Sequence, residues 1–171
     1  MKYLLFAFLF SALPLMSAEE SATHPYLKEA AKALVDADGK KVDQSRLLAP
    51  KYVLVYFSAH WCPPCRAFTP KLVKFYNEQG GGTKFELLFV SSDRDSAKML
   101  GYMKDTSMPW IGLRFGSSKT ADIKRTYGGD GIPCLTLIDE NDKAVFTSYV
   151  DGEYVGPEVV LEQFSTLLKA K

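Results

Sequence analysis

The chain has 171 residues, 47% of them hydrophobic and 24% charged, an ordinary globular composition with enough length to bury one core. Lys and Arg number 21 against 20 Asp and Glu, with no long block of like charge, which excludes a nucleic-acid binder that works through a basic surface.

Residues 1–18 carry one Lys, an apolar run, then Pro14 and small residues, the layout of a secretory signal peptide. The apolar run falls short of the roughly 20 residues that span a bilayer. Cleavage near Ala18 and an extracytoplasmic product, periplasmic or secreted, are expected; an uncleaved segment would leave a membrane-tethered form. Loss of this segment removes one Lys and leaves basic and acidic residues equal in number. Outside the cytoplasm disulfides form and persist.

Residues 19–33 are expected to be a leader with a short helix over 25–34, and the main domain is expected to fill 34–171. Asp36-Ala37-Asp38-Gly39-Lys40 is turn chemistry. Residues 52–58 form a run of β-branched and aromatic residues, the pattern of a strand buried on both faces, and it ends at Trp61-Cys62-Pro63-Pro64-Cys65. Phe68, Leu72, Phe75 and Tyr76 then recur at helical spacing until Gly80-Gly81-Gly82. A second buried strand follows over 85–90, then a helix over 95–104, so the two strands are expected to be parallel. A helix over 117–127 ends at Gly128-Gly129. Strands over 135–138 and 144–149 flank a turn-rich loop, the signal of an antiparallel hairpin, and a helix over 157–168 closes the chain. The sum is an α/β fold with a central mixed β-sheet and helices on both faces.

Cys62 and Cys65 therefore stand between a buried strand and the first turn of a helix. Unpaired N–H groups and the helix dipole favour negative charge there, so Cys62 is the expected nucleophile. Cys65, nearly one turn in and less accessible, is expected to resolve the mixed disulfide that Cys62 forms. Pro63 and Pro64 stiffen the turn and lack N–H groups, which bears on the reduction potential. Zinc would need two further ligands, and only Cys134, His24, His60 and carboxylates are on offer, so no metal is expected. A purely structural disulfide across so short a loop would stabilise little.

The run Tyr56-Phe57-Ser58-Ala59-His60-Trp61-Cys62-Pro63-Pro64-Cys65-Arg66-Ala67-Phe68-Thr69-Pro70 resembles the active-site segment of the tryparedoxin and nucleoredoxin branch of the thioredoxin superfamily. Met108-Pro109-Trp110 and Gly131-Ile132-Pro133 resemble its downstream motifs in the same order. The resemblance implies a thioredoxin-like fold, a helix-kinking role for Pro70, and a cis peptide bond before Pro133. It further implies that Ile132 and Pro133 bind a substrate strand and that Trp61 gives the target an apolar contact. Many thioredoxins carry an Asp six residues before the first cysteine; here the residue is Tyr56, which leaves the proton acceptor for Cys65 unassigned.

Two further residues are candidates for tuning the pair. His60 is either an electrostatic neighbour of Cys62 or an exposed rim side chain. Cys134, directly after Pro133, is either a small core residue or a third redox sulfur. The reading is an exported thiol-disulfide oxidoreductase, a reductase or isomerase before an oxidase, with no cofactor beyond the Cys62–Cys65 pair. Its expected partners are protein or peptide disulfides and an upstream thiol-disulfide electron donor, and a monomer is expected. A thiol peroxidase and a non-catalytic client-binding module are the alternatives.

Overall fold

Strand polarity explains the architecture: the run leading to Ser58 has an apolar or aromatic residue at every position from Val53 to Phe57, so both of its faces must be covered. The computed structural model describes residues 24–170. The signal segment expected over 1–18, and the start of the leader after it, lie outside them.

The elements in chain order are a 3-10 helix Ala30–Ala33, β1 Leu34–Val35, α1 Ser45–Leu48, β2 Val53–Ser58, α2 Pro63–Gln79, β3 Glu86–Ser91, α3 Ser96–Asp105 and β4 Ile111–Leu113. They continue with α4 Thr120–Tyr127, β5 Cys134–Ile138, β6 Ala144–Thr147, β7 Tyr149–Val150, β8 Glu153–Tyr154 and α5 Pro157–Lys169. The main sheet has the order β1-β4-β3-β2-β5-β6, which puts β2 inside it. β2 and β3 are parallel, as expected, and β5 runs antiparallel to β2 with Cys134 opposite Phe57. No helix among the described residues is long and apolar enough to cross a membrane.

Alternate residues of β2 serve opposite layers, as the pleat requires. Leu54 and Tyr56 pack with Phe68 and Leu72 of α2, Tyr102 of α3 and Phe164 of α5. Val53, Val55 and Phe57 pack with Leu47 of α1 and with Ile123 and Tyr127 of α4. Full burial of such side chains contributes about 1.5–3 kcal/mol each, so the strand that delivers the cysteines is firmly anchored on both faces of the sheet. Trp110 belongs to the α2 layer as a packing residue, 1% exposed.

α2 starts at Pro63 and Pro64, which need no N–H partner, and stops at Gly80, whose φ of 86° is readily adopted without a Cβ. The helix continues through Pro70, which has no N–H to offer the carbonyl of Arg66. At the far end of the site-bearing sheet, the buried Glu86 carboxylate takes hydrogen bonds from Arg46, Tyr76 and the Leu87 N–H, joining α1, α2 and β3.

Three sequence expectations need correction. The helix expected over 25–34 is a set of turns and a single short 3-10 helix, because Leu34 is drawn into β1 opposite Leu113 of β4. The domain boundary expected at Leu34 is also too late. Leu27, Ala30 and Ala31 are buried against the sheet, and His24 is buried with its N–H on the Glu140 carbonyl and Nε2 on the Pro50 carbonyl. Asp142 holds the same segment through His24 Nδ1 and the Tyr26 N–H. Finally, the strand expected over 144–149 breaks at Ser148; Tyr149 belongs to a separate two-stranded hairpin of β7 and β8.

Because residues 24–33 pack onto the core through Leu27, Ala30 and Ala31, Leu27→Ala is expected to lower stability by about 2–5 kcal/mol in urea unfolding. A detached leader would cost less than about 0.5 kcal/mol.

Candidate active site

The turn at residues 59–62 brings the chain from β2 onto the axis of α2. Cys62 is the N-cap of that helix, and it is disulfide-bonded to Cys65 with their Cα atoms 5.3 Å apart. The first two helical residues are prolines, so the first N–H the helix can offer is that of Cys65, and it donates to Cys62 Sγ at 3.3 Å. One sulfur thus receives both the leading donor and the positive end of the helix dipole. Cys62 retains 3% exposure and Cys65 none, so an incoming sulfur meets Cys62 first. Ala59 and Ile132 complete the apolar surround of the pair.

The peptide bond between Ile132 and Pro133 is cis, and the Ile132 carbonyl oxygen lies 3.7 Å from Cys62 Sγ. In the disulfide this is a contact; on reduction a Cys62 thiol has an acceptor there. A groove of about 450 Å³ runs between the two loops, with Trp61, Cys62, Pro63 and Pro64 on one wall and Gly131 and Ile132 on the other. Trp61 is 55% exposed, yet its indole N–H donates to the Ser92 carbonyl at 3.1 Å. That bond holds the ring as a fixed apolar wall. The fold therefore gathers Trp61, Cys62, Pro63, Pro64 and Ile132 in one place, with Pro133 directly behind.

His60 and Cys134 fall outside this groove. The His60 N–H is held by the Asp93 carboxylate at 2.9 Å, and its ring lies against Tyr102 and faces Asp105. With Arg94 and Lys98 it lines a separate depression on the other side of Trp61. Cys134 is fully buried, a free thiol, and points to the α4 layer with its sulfur 4.0 Å from the Tyr127 carbonyl. Burial pushes its thiol up to about 11. Of the two readings of Cys134, its placement supports the small core residue: strand parity turns it into the packed layer, and a buried neutral thiol is a poor nucleophile.

Tyr56 is part of a hydroxyl network that the sequence did not reveal. Thr69 Oγ1 donates to the Cys65 carbonyl at 2.9 Å, which uses its only proton. The hydroxyls of Tyr56 and Tyr102, 2.9 Å and 2.6 Å away, must therefore both donate to Thr69, and Ser58 must donate to Tyr102. Burial drives the Tyr56 hydroxyl well above the usual phenol range, so it stays a donor. A neutral lattice of hydroxyls, all from buried residues, thus holds the turn that carries Cys65. These partners lie far apart in the chain, and no local pattern links them.

A Cys-x-x-Cys disulfide at the head of a helix, fed by a buried strand and faced by a cis-proline loop, defines the class: thiol-disulfide oxidoreductases of thioredoxin fold. Residues 50–145 match the model of the Thioredoxin-like family, and the chain belongs to that family. It is 46% identical over 109 residues to probable nucleoredoxin 1 of Arabidopsis thaliana, covering 63% of this chain and 18% of that protein. It is 37% identical over 99 residues to tryparedoxin of Trypanosoma brucei brucei, covering 57% of this chain and 67% of that one. The crystal structure of thioredoxin from Wuchereria bancrofti aligns with a TM-score of 0.63 at 37% identity, over 78% of this chain and 94% of that chain. The chain spans between 18% and 32% of the length of the nucleoredoxins it matches.

With its thiol near 11, only about one Cys134 in a thousand is ionised at pH 8. Iodoacetamide labelling of the native oxidised protein, read by mass spectrometry, is expected to leave Cys134 unmodified and to modify it promptly in guanidinium. Rapid native labelling would contradict its placement in the core.

Proposed function

We propose that this protein is an exported dithiol-disulfide oxidoreductase that reduces or isomerises disulfides in protein or peptide substrates. The observation that carries this reading is the asymmetry of the pair: Cys62 is the more accessible sulfur and receives the Cys65 N–H. In the reduced enzyme the Cys62 thiolate attacks a substrate disulfide. A Cys62–substrate mixed disulfide forms, and one substrate sulfur leaves as thiolate and takes a proton. Cys65 then loses its proton, attacks Cys62 Sγ and expels the second substrate thiol. The enzyme is left as the Cys62–Cys65 disulfide, and an upstream dithiol returns the two electrons.

Two features support a polypeptide as substrate. The Ile132 N–H has no acceptor among the described residues, and its carbonyl lies beside Cys62. An extended segment can pair with both groups, in the manner of a strand added to a sheet edge, and deliver its sulfur to Cys62. The fixed Trp61 ring offers that segment an apolar face. One chain supplies both sulfurs and both walls of the groove, so the chemistry needs no second copy. The export part of the proposal is supported by the signal-like layout of residues 1–18, and an exported enzyme would meet both its substrates and its electron donor outside the cytoplasm.

Reduction of insulin disulfides, with dithiothreitol as donor, is expected to fall at least about a hundredfold in Cys62→Ser. Cys65→Ala is expected to accumulate Cys62 mixed disulfides that mass spectrometry can identify. An unchanged rate in Cys62→Ser would overturn the reading and leave a binding module.

A further inference from the structure

The loop that presents Ile132 has no regular structure of its own, so something else must hold it. Its peptide groups alternate between held and free. The Gly131 N–H donates to Tyr149 Oη at 2.8 Å, and Tyr154 Oη donates to the Pro133 carbonyl at 2.9 Å. Between these two points, the Ile132 N–H is free and its carbonyl lies 3.7 Å from Cys62 Sγ.

Both tyrosines come from the β7–β8 hairpin, where they are directly cross-strand partners with rings 5.2 Å apart. The base of the hairpin is fastened to β5 by Ser148, whose hydroxyl bonds the Leu135 N–H at 2.9 Å and the Leu135 carbonyl at 3.1 Å. The Val155 N–H closes onto the Ser148 carbonyl at 2.9 Å. A second, independent sign of fit is at Gly129, where an added Cβ would collide with the Tyr149 ring. The ring thus occupies the space a side chain would need, and the loop is moulded to it.

We propose that Tyr149 and Tyr154 are positioning residues for substrate: their hydroxyls clamp the loop on either side of Ile132 so that its free N–H and its carbonyl are aligned for a polypeptide disulfide. This rests on the oxidoreductase reading above and adds to it a determinant of preference for polypeptide over small disulfides. The hydroxyls touch neither sulfur. Their removal therefore weakens binding of an extended substrate and leaves the chemistry of Cys62 intact.

The test uses Tyr149→Phe, Tyr154→Phe and the double variant in the full chain, assayed on insulin and on the small disulfide 5,5′-dithiobis(2-nitrobenzoate). Loss of one hydrogen bond corresponds to about a three- to tenfold change, and the rise is expected in KM for insulin, with kcat and the rate on the small disulfide within about twofold of wild type. Gly129→Ala, which displaces the Tyr149 ring without touching its hydroxyl, is expected to raise the insulin KM in the same way. Equal insulin KM values in wild type and all three tyrosine variants overturn the proposal. So does an equal loss on both disulfides, which marks a general structural role. A wild-type protein inactive on both overturns the oxidoreductase reading, and the proposal with it.

Discussion

The hydrogen bond from the Cys65 N–H to Cys62 Sγ is the interaction on which the rest of the site depends. Pro63 and Pro64 make it so: a helix with ordinary residues at its first two positions would spread several donors over the approaching charge, whereas this one concentrates the first available donor on a single sulfur. The same bond distinguishes two chemically identical side chains. Cys62 caps the helix and keeps a sliver of exposure, while Cys65 donates its amide and is sealed from solvent.

The remainder of the fold keeps that bond in register. β2 is covered on both faces, so the turn at its end has little freedom to move. Beneath the turn, Thr69 holds the Cys65 carbonyl and is itself saturated by two tyrosines. At position 56 a tyrosine offers no proton acceptor but gives a rigid, uncharged support. A buried carboxylate would carry a desolvation penalty and a pH-dependent charge beside the pair; the hydroxyl lattice carries neither. On the opposite wall, the loop before β5 is held from outside by the β7–β8 hairpin, so each wall of the groove has its own brace.

Much of this was legible in the sequence, for identifiable reasons. Strands β2 and β3 announce themselves because a strand covered on both faces carries a continuous apolar run, Val53 to Phe57 and Leu87 to Val90, and α2 because prolines mark its start and Gly80 its stop. The cysteines, Trp61 and the Ile132-Pro133 step lie in contiguous motifs. What escaped was set by distance or by brevity. β4 is three residues long with a central Gly112, too short for any periodicity to register. Residues 24–33 look like a leader with a short helix because their buried positions, His24, Leu27, Ala30 and Ala31, are few and mostly small or polar. The Tyr56–Thr69–Tyr102 lattice and the Tyr149 and Tyr154 contacts join residues that only the folded chain brings together. Cys134 was ambiguous because a shift of one residue in a strand reverses its face; pairing with Phe57 fixes it toward α4.

Its position at the head of α2 makes Cys62 the reactive sulfur. The direct measurement is the pH dependence of iodoacetamide alkylation of the fully reduced protein, with Cys62 and Cys65 followed separately by mass spectrometry. Cys62 is expected to react first and to reach half its maximal rate below about pH 8.5, the ordinary value for a free cysteine. Faster labelling of Cys65, or a Cys62 midpoint at or above that of a free cysteine, would mean that the helix head does not activate Cys62.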